Sequence, residues 1–358
     1  MTWIYAICGI SALIVIHEAG HALAAKACGM RVDRFALFFP PLIAKRRIGE
    51  TEFAIGAIPL GGYVRILGQN PVDEIPEGEE ARSYGAKPVW QRMVVIAAGP
   101  FANIVAGVLL IAAVLMVDGG SKAVPVIAKA TVSQPAAGVL RPGDRIIAID
   151  GVKGDPSALV NQTRTHACSG RASNGCEARS PAKVTFRRGT QIRTVQLTPR
   201  YDSSAGAMRL GFSFSTEPIK VGPLEALNQS IGIAWRVSSR SVKGLLAIAT
   251  PEGRKQVSGI VGVSVVTEQA FSRDLIWAME LLALVSLLIA VVNLFPLLPL
   301  DGGHLFWLAV EKVRGRPVSQ AVLARATTVG LVVVAGLFFI GLSNDIVRLG
   351  GEGFAAPR

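Results

Sequence analysis

The sequence predicts a polytopic α-helical membrane protein of about four spans, with a β-rich domain inserted between its membrane halves. Three observations predict it. The 358 residues are 51% apolar, with a mean hydropathy of +0.45. Only 17% are charged, against roughly 25% in soluble domains, which excludes a disordered chain and suits an ordinary soluble enzyme poorly. Long apolar runs stand at both ends of the chain, while its middle reads as short strands and turns. The formal charge of +12 suggests nucleic acid or an anionic membrane surface. The apolar excess favours the membrane.

The first run, Trp3 to Ala25, is apolar except for one polar cluster near its end. No Lys or Arg precedes it and no small-residue cleavage pattern follows promptly, so it reads as a retained helix rather than a signal peptide. Val94 to Val117 carries no charge, and Leu275 to Leu300 carries Glu280 alone. Ala326 to Leu342 is at the short limit for crossing about 30 Å of hydrocarbon; a buried or interfacial helix is its alternative. Orientation follows from Lys and Arg in short loops. Residues 26–93 hold ten and residues 301–325 hold four, so both face the cytoplasm. The two termini and the stretch 118–274 then lie outside. The acidic run Asp73 to Glu80 reads as a mobile, solvated loop.

His17-Glu18-Ala19-Gly20-His21 has the H-E-x-x-H form. On a helix, residues four apart share a face, so both imidazoles reach one ion. Zinc suits imidazole nitrogen, and a catalytic site leaves one position for water, whose proton Glu18 is placed to take. Ionisable residues inside an apolar helix are costly and mark function by default; the bland alternative is a polar helix end at the interface. A third ligand is needed. Asp301 is the best placed, at the cytoplasmic end of the third run, where Pro296 and Pro299 break the helix. His304 is an alternative ligand or a neighbour of the site, and Asp301-Gly302 read alone is a turn.

The middle divides at about residue 205, giving regions 1–117, 118–205, 206–274 and 275–358. In the second region, Gln134 to Gly151 contains a Pro142-Gly143-Asp144 turn and a buried strand ending in Asp150-Gly151. Val184 to Leu197 is a hairpin turning at Arg188-Gly189. This region is close to the PDZ pattern, a fold that takes extended peptides by strand addition. Cys168 and Cys176, eight apart in a Ser/Gly loop outside the cell, suggest a disulfide. Two free thiols, or a zinc site with His166, are the alternatives. The third region reads as a short strand pair followed by amphipathic stretches such as Leu224 to Ile248, on the outer membrane surface.

Together, His17-Glu18-x-x-His21 and Asn293 to Gly302 resemble the site-2 protease family of intramembrane zinc metalloproteases. They are closer still to the bacterial branch that includes the regulator-of-sigma-E protease. Ile58 to Val64 resembles that branch's membrane-associated β-hairpin, and Trp90 to Asn103 the start of its second helix. Val257 to Gly262 weakly echoes a further segment, without the family's proline. The resemblance implies that His17, His21 and Asp301 bind one Zn2+ per chain and that Glu18 is the general base. It implies that Asn293 holds the substrate backbone and that the strand ending near Gly61 and Gly62 presents the substrate as an added edge. A plain turn is the alternative for the two glycines, and a polar helix end for Asn293. It further implies residence in the bacterial cytoplasmic (inner) membrane. The substrates implied are single-pass membrane proteins already trimmed outside by another protease, such as anti-sigma factors, and remnant signal peptides. Two other readings stand beside it. A prenyl-peptide type protease expects a Glu as third ligand, and no downstream Glu sits in a comparable motif. A membrane-anchored PDZ scaffold with a structural zinc site expects four protein ligands.

Overall fold

The computed structural model describes residues 2–70, 73–170, 173–203, 205–255 and 257–350. The first elements are α1 (Thr2–Ala27), the long strands β1 (Val32–Ile48) and β2 (Thr51–Ile66), and α2 (Val89–Val117). Then come β3 (Gly120–Val132), β4 (Arg145–Ile149), β5 (Val152–Lys153), α3 (Pro156–Arg164), β6 (Ala182–Arg188) and β7 (Gln191–Leu197). Three strands follow, β8 (Arg200–Asp202), β9 (Ala207–Arg209) and β10 (Phe212–Ile219). The chain closes with α4 (Pro223–Ala247), α5 (Pro251–Arg254), α6 (Ile260–Arg273), α7 (Leu275–Asn293), α8 (Asp301–Arg314) and α9 (Gln320–Leu349). These form two compact units. One joins Met1–Asp118 to Gly222–Arg358; the other is Gly119–Val221. The boundary expected at residue 205 is therefore corrected. β10 pairs along β3, which draws residues up to 221 into the β unit, while α4 packs on α2 and α7 in the helical unit.

In the helical unit, α1, α2, α7 and α9 are long and apolar enough to cross a membrane. Two of them differ from the expected runs. The third ends at Asn293, because Pro296 and Pro299 lack amide donors and disfavour helix in the residues before them. The fourth extends over 30 residues rather than stopping at Leu342. Its polar end is used. Asp345 is fully buried and accepts from the Gly259 and Gly262 amides at 3.1 and 2.8 Å, capping the start of α6. Asn344 donates to the carbonyls of Arg254 and Val257.

The expected hairpin is more than a hairpin. Residues 51–56 pair with 42–48 across the Gly49-Glu50 turn and also with 34–37. Residues 62–66 pair with 32–37 on the other side. The two long strands thus make a sheet of four segments with 62–66 at one edge. The acidic loop beside it is solvated through residues 74–78 but pinned near its ends: Asp73 pairs with Arg65 at 2.7 Å, and Glu79 with Arg31 and Arg82.

In the β unit, all strand pairs are antiparallel, and the main sheet runs β10-β3-β4-β6-β7, with β5 beside β4. β6 alternates as its sequence requires, burying Ala182, Val184 and Phe186. They close over Ile127, Ile146, Ile149 and Leu159, which α3 supplies from one face. Asp155 caps α3 by accepting from the Ala158 amide at 2.8 Å, and Pro156 takes its first turn. The Pro142-Gly143-Asp144 turn is locked to the β6-β7 turn, since Asp144 receives two bonds from Arg188 at 2.8 and 2.6 Å.

Candidate metal centre

α1 stacks His17 and His21 one turn apart, with ring centroids 4.9 Å apart and both side chains buried. Their Nε2 atoms lie 3.3 Å from one another. Asp301 opens α8, immediately after the break, and brings its Oδ2 to 3.2 Å from His17 and 3.4 Å from His21. Among the described residues this is the group of His, Cys, Asp and Glu side chains able to hold a metal. Three electron-pair donors thus face one point. A tetrahedral ion with ligand bonds of about 2.0–2.1 Å has ligand-to-ligand edges of about 3.3–3.4 Å, so the triangle fits zinc and leaves a fourth position. Asp301 Oδ2 receives no hydrogen bond from the rest of the fold among the described residues, so it faces the two imidazoles alone.

The surroundings fix these donors. His21 Nδ1 donates to the Val95 carbonyl of α2 at 2.9 Å, which leaves Nε2 free to coordinate. Gly99, one turn further along α2, is required there: a Cβ at that position would collide with the His21 ring. α8 is tied to the start of α2 by Arg92 and Glu311, which form bonds of 2.6 and 3.2 Å. Buried His17 Nδ1 and both side-chain polar atoms of Asn103 make no hydrogen bond among the described residues. In a native interior such orphans call for a functional account.

Glu18 projects beside the triangle and faces the backbone amide of Val64. Gly62 lets the sheet edge approach, since a Cβ there would press on the Glu18 and Ile14 side chains at 3.0 Å. Gly61 precedes it in the bend before that edge segment, against the Phe39 ring. Asn293 is the last residue of α7, half-buried, with no side-chain hydrogen bond among the described residues. His304 is not in the triangle. It lines a cleft of about 1310 Å³ together with Tyr63, Val64, Arg92 and Glu311. Cys168 and Cys176, in the β unit, are joined as a disulfide with Cα atoms 5.9 Å apart. His166 there bonds Asp150 at 2.8 Å. Sequence reasoning missed the helix-seating roles of Gly99 and Arg92, and it missed the buried Asn103. Asn103, the single polar side chain of the apolar second run, was the signal available.

Comparison with known proteins agrees in its chemistry. The profile of Peptidase family M50 matches residues 5–337. A protein of Xylella fastidiosa (strain 9a5c) named "Putative zinc metalloprotease" is 28% identical, over 95% of this chain and 97% of its own length. Proteins of the same description from Brucella suis biovar 1 (strain 1330) and Clostridium perfringens (strain 13 / Type A) are 30% and 28% identical. They align with 94% and 96% of this chain and with 93% and 98% of their own lengths. Among solved structures, the PDZ domain of the SdrC-like protein from Listeria monocytogenes matches 26% of this chain and 86% of its own. Its identity is 19% and its TM-score 0.19.

Proposed function

The chain belongs to Peptidase family M50, and from that premise we propose a zinc endopeptidase that cuts transmembrane segments of single-pass membrane proteins. The observation that carries this reading is the triangle of His17, His21 and Asp301 with Glu18 beside it, on a helix apolar enough to span the membrane. Zinc, when bound, polarises the scissile carbonyl and acidifies a water. Glu18 takes the proton of the attacking water and returns it to the leaving amine nitrogen as the peptide C–N bond breaks. A membrane helix has satisfied its own backbone and must unwind before hydrolysis. The edge segment 62–66, lying against Glu18, can replace the lost bonds by strand addition, and the Asn293 amide, with no hydrogen bond among the described residues, can hold the opened backbone.

The setting proposed is the bacterial inner membrane, with both termini and a PDZ-like β unit outside and the site towards the cytoplasm. The substrates are anti-sigma factors first cut outside, in regulated intramembrane proteolysis, and remnant signal peptides. The scaffold reading needs a closed site of four protein ligands; the three-membered triangle favours catalysis. Glu18→Gln, expressed with a tagged single-pass substrate, is expected to lower release of the cytoplasmic fragment roughly 100- to 10,000-fold while zinc is retained. Undiminished release sinks the proposal.

A further inference from the structure

α4 carries three faces along its length. Ala226, Ser230 and Ala234 are buried, and these small side chains seat the helix against α2 and α7. A second face holds Leu224, Leu227, Ile231, Trp235, Val242 and Leu246. At 100° per residue they fall in a stripe roughly 100° wide. All are exposed, Leu224 and Trp235 by 74% each. The third face, roughly 120° further round, holds Arg236, Arg240 and Lys243, at one-turn spacing. These cations are exposed, and among the described residues none forms an ion pair or a side-chain hydrogen bond. Five arginines of the same unit, Arg31, Arg34, Arg65, Arg82 and Arg92, each have a carboxylate instead.

We propose that α4 is a docking helix for anionic phospholipid. Arg236, Arg240 and Lys243 bind the phosphate-bearing headgroups, and Trp235 with its apolar stripe enters the acyl boundary. The inference rests on the membrane reading of α2 and α7, not on the peptidase reading. Its argument is position and charge. A helix packed along two membrane-spanning helices meets lipid on its free side. An interfacial helix combines an apolar stripe, a central aromatic and a cationic flank, and its cations select anionic headgroups. A second copy of the chain would bring a like-charged stripe against this one.

The test uses the full chain reconstituted in phosphatidylcholine vesicles with a trace of spin-labelled phosphatidylglycerol or phosphatidylcholine. The immobilised fraction of each label gives the preference for the anionic lipid. The triple variant Arg236→Gln, Arg240→Gln, Lys243→Gln is expected to lose roughly ten-fold of that preference and its salt sensitivity. A control triple on the β unit, Lys122→Gln, Arg187→Gln, Arg193→Gln, removes equal charge and is expected to leave it. Arg236→Lys with Arg240→Lys retains it. An unchanged preference in the first triple overturns the proposal. So does equal loss in the control, or loss in the lysine variant. Zinc content measured on every variant shows that the metal centre is intact, and so separates this outcome from failure of the peptidase reading.

Discussion

Asp144 of the β unit, just before β4, and Asp301 of the helical unit, at the start of α8, are both carboxylates largely shielded from solvent, yet they are used differently. Asp144 receives two bonds from Arg188 and one from the Arg141 amide. Asp301 turns its Oδ2 towards two imidazole nitrogens and, among the described residues, makes no hydrogen bond through it. The β unit also closes His166 onto Asp150 and its two cysteines onto each other. The helical unit leaves the side chains of His17, at Nδ1, and Asn103 without a hydrogen bond among the described residues. Paired groups fix a fold. Convergent unpaired donors cost stability and persist where something else binds them.

Asp301→Ala breaks this comparison most directly. Zinc, counted on purified protein, is expected to fall from about one per chain towards none, with loss of cleavage. The metal-stripped form is expected to melt close to metal-stripped wild type, because Oδ2 faces only the two imidazoles and receives no hydrogen bond from the rest of the fold among the described residues. A large drop in the melting temperature of the stripped protein would show that Asp301 serves the fold, as Asp144 does.

Gly99→Ala probes the same centre from α2. The added methyl meets the His21 ring, which must swing away or loosen its bond to Val95. Zinc affinity, measured by chelator competition, is expected to fall roughly 10- to 100-fold, as for other changes to groups that orient a ligand. Unchanged affinity would mean that α1 and α2 separate freely and that Gly99 seats nothing.

Asp345→Ala sharpens the comparison from inside the helical unit, where Asp345 is the buried carboxylate that behaves as those of the β unit do. Its loss strands the Gly259 and Gly262 amides, for a cost of about 2 kcal/mol. Lower thermal stability with full zinc content is the expected result. Lost zinc at unchanged stability would contradict it.

The sequence carried the centre further than it carried the fold. His17, Glu18 and His21 are legible because a four-residue spacing on a helix has one geometric meaning. Asp301 was legible through the prolines, which dictate a break at the depth where a ligand is needed. Gly99 was not, since a glycine in an apolar helix reads the same whether it seats an imidazole or an alanine. The pairing of 51–56 with both 42–48 and 34–37 was hidden for a similar reason. Strand register beyond one turn depends on bends such as Phe38, at φ 71°, that residue pattern does not announce. The extent of α9 was misjudged because hydropathy stops at the first polar residues, and Asn344 and Asp345 are used inside the unit.

The smallest effect concerns acid. Burial raises the pKa of Asp144, but the Arg188 bonds and the Arg141 amide lower it more, and the net is a depressed value. Burial likewise opposes Asp150, and the Lys183 amide, His166 and Gln162 outweigh it. A carboxylate held below its unfolded value of about 3.9 stabilises the fold above that pH. The contribution is lost as pH falls below it, through the lower folded values. Arg188 and Asp150 are partly exposed, so solvent screens both pairs and the change is expected to stay under about 1 kcal/mol each. Hydrogen exchange of the β4 and β6 amides, followed from about pH 5 down to about pH 3, is expected to show easier opening at the acid end. Asp144→Asn should roughly halve that slope, because one of the two titrating groups is gone and Asp150 remains. If the slope is undiminished by the substitution, the acid sensitivity belongs to other carboxylates and the pairing of Asp144 with Arg188 contributes nothing that pH can remove.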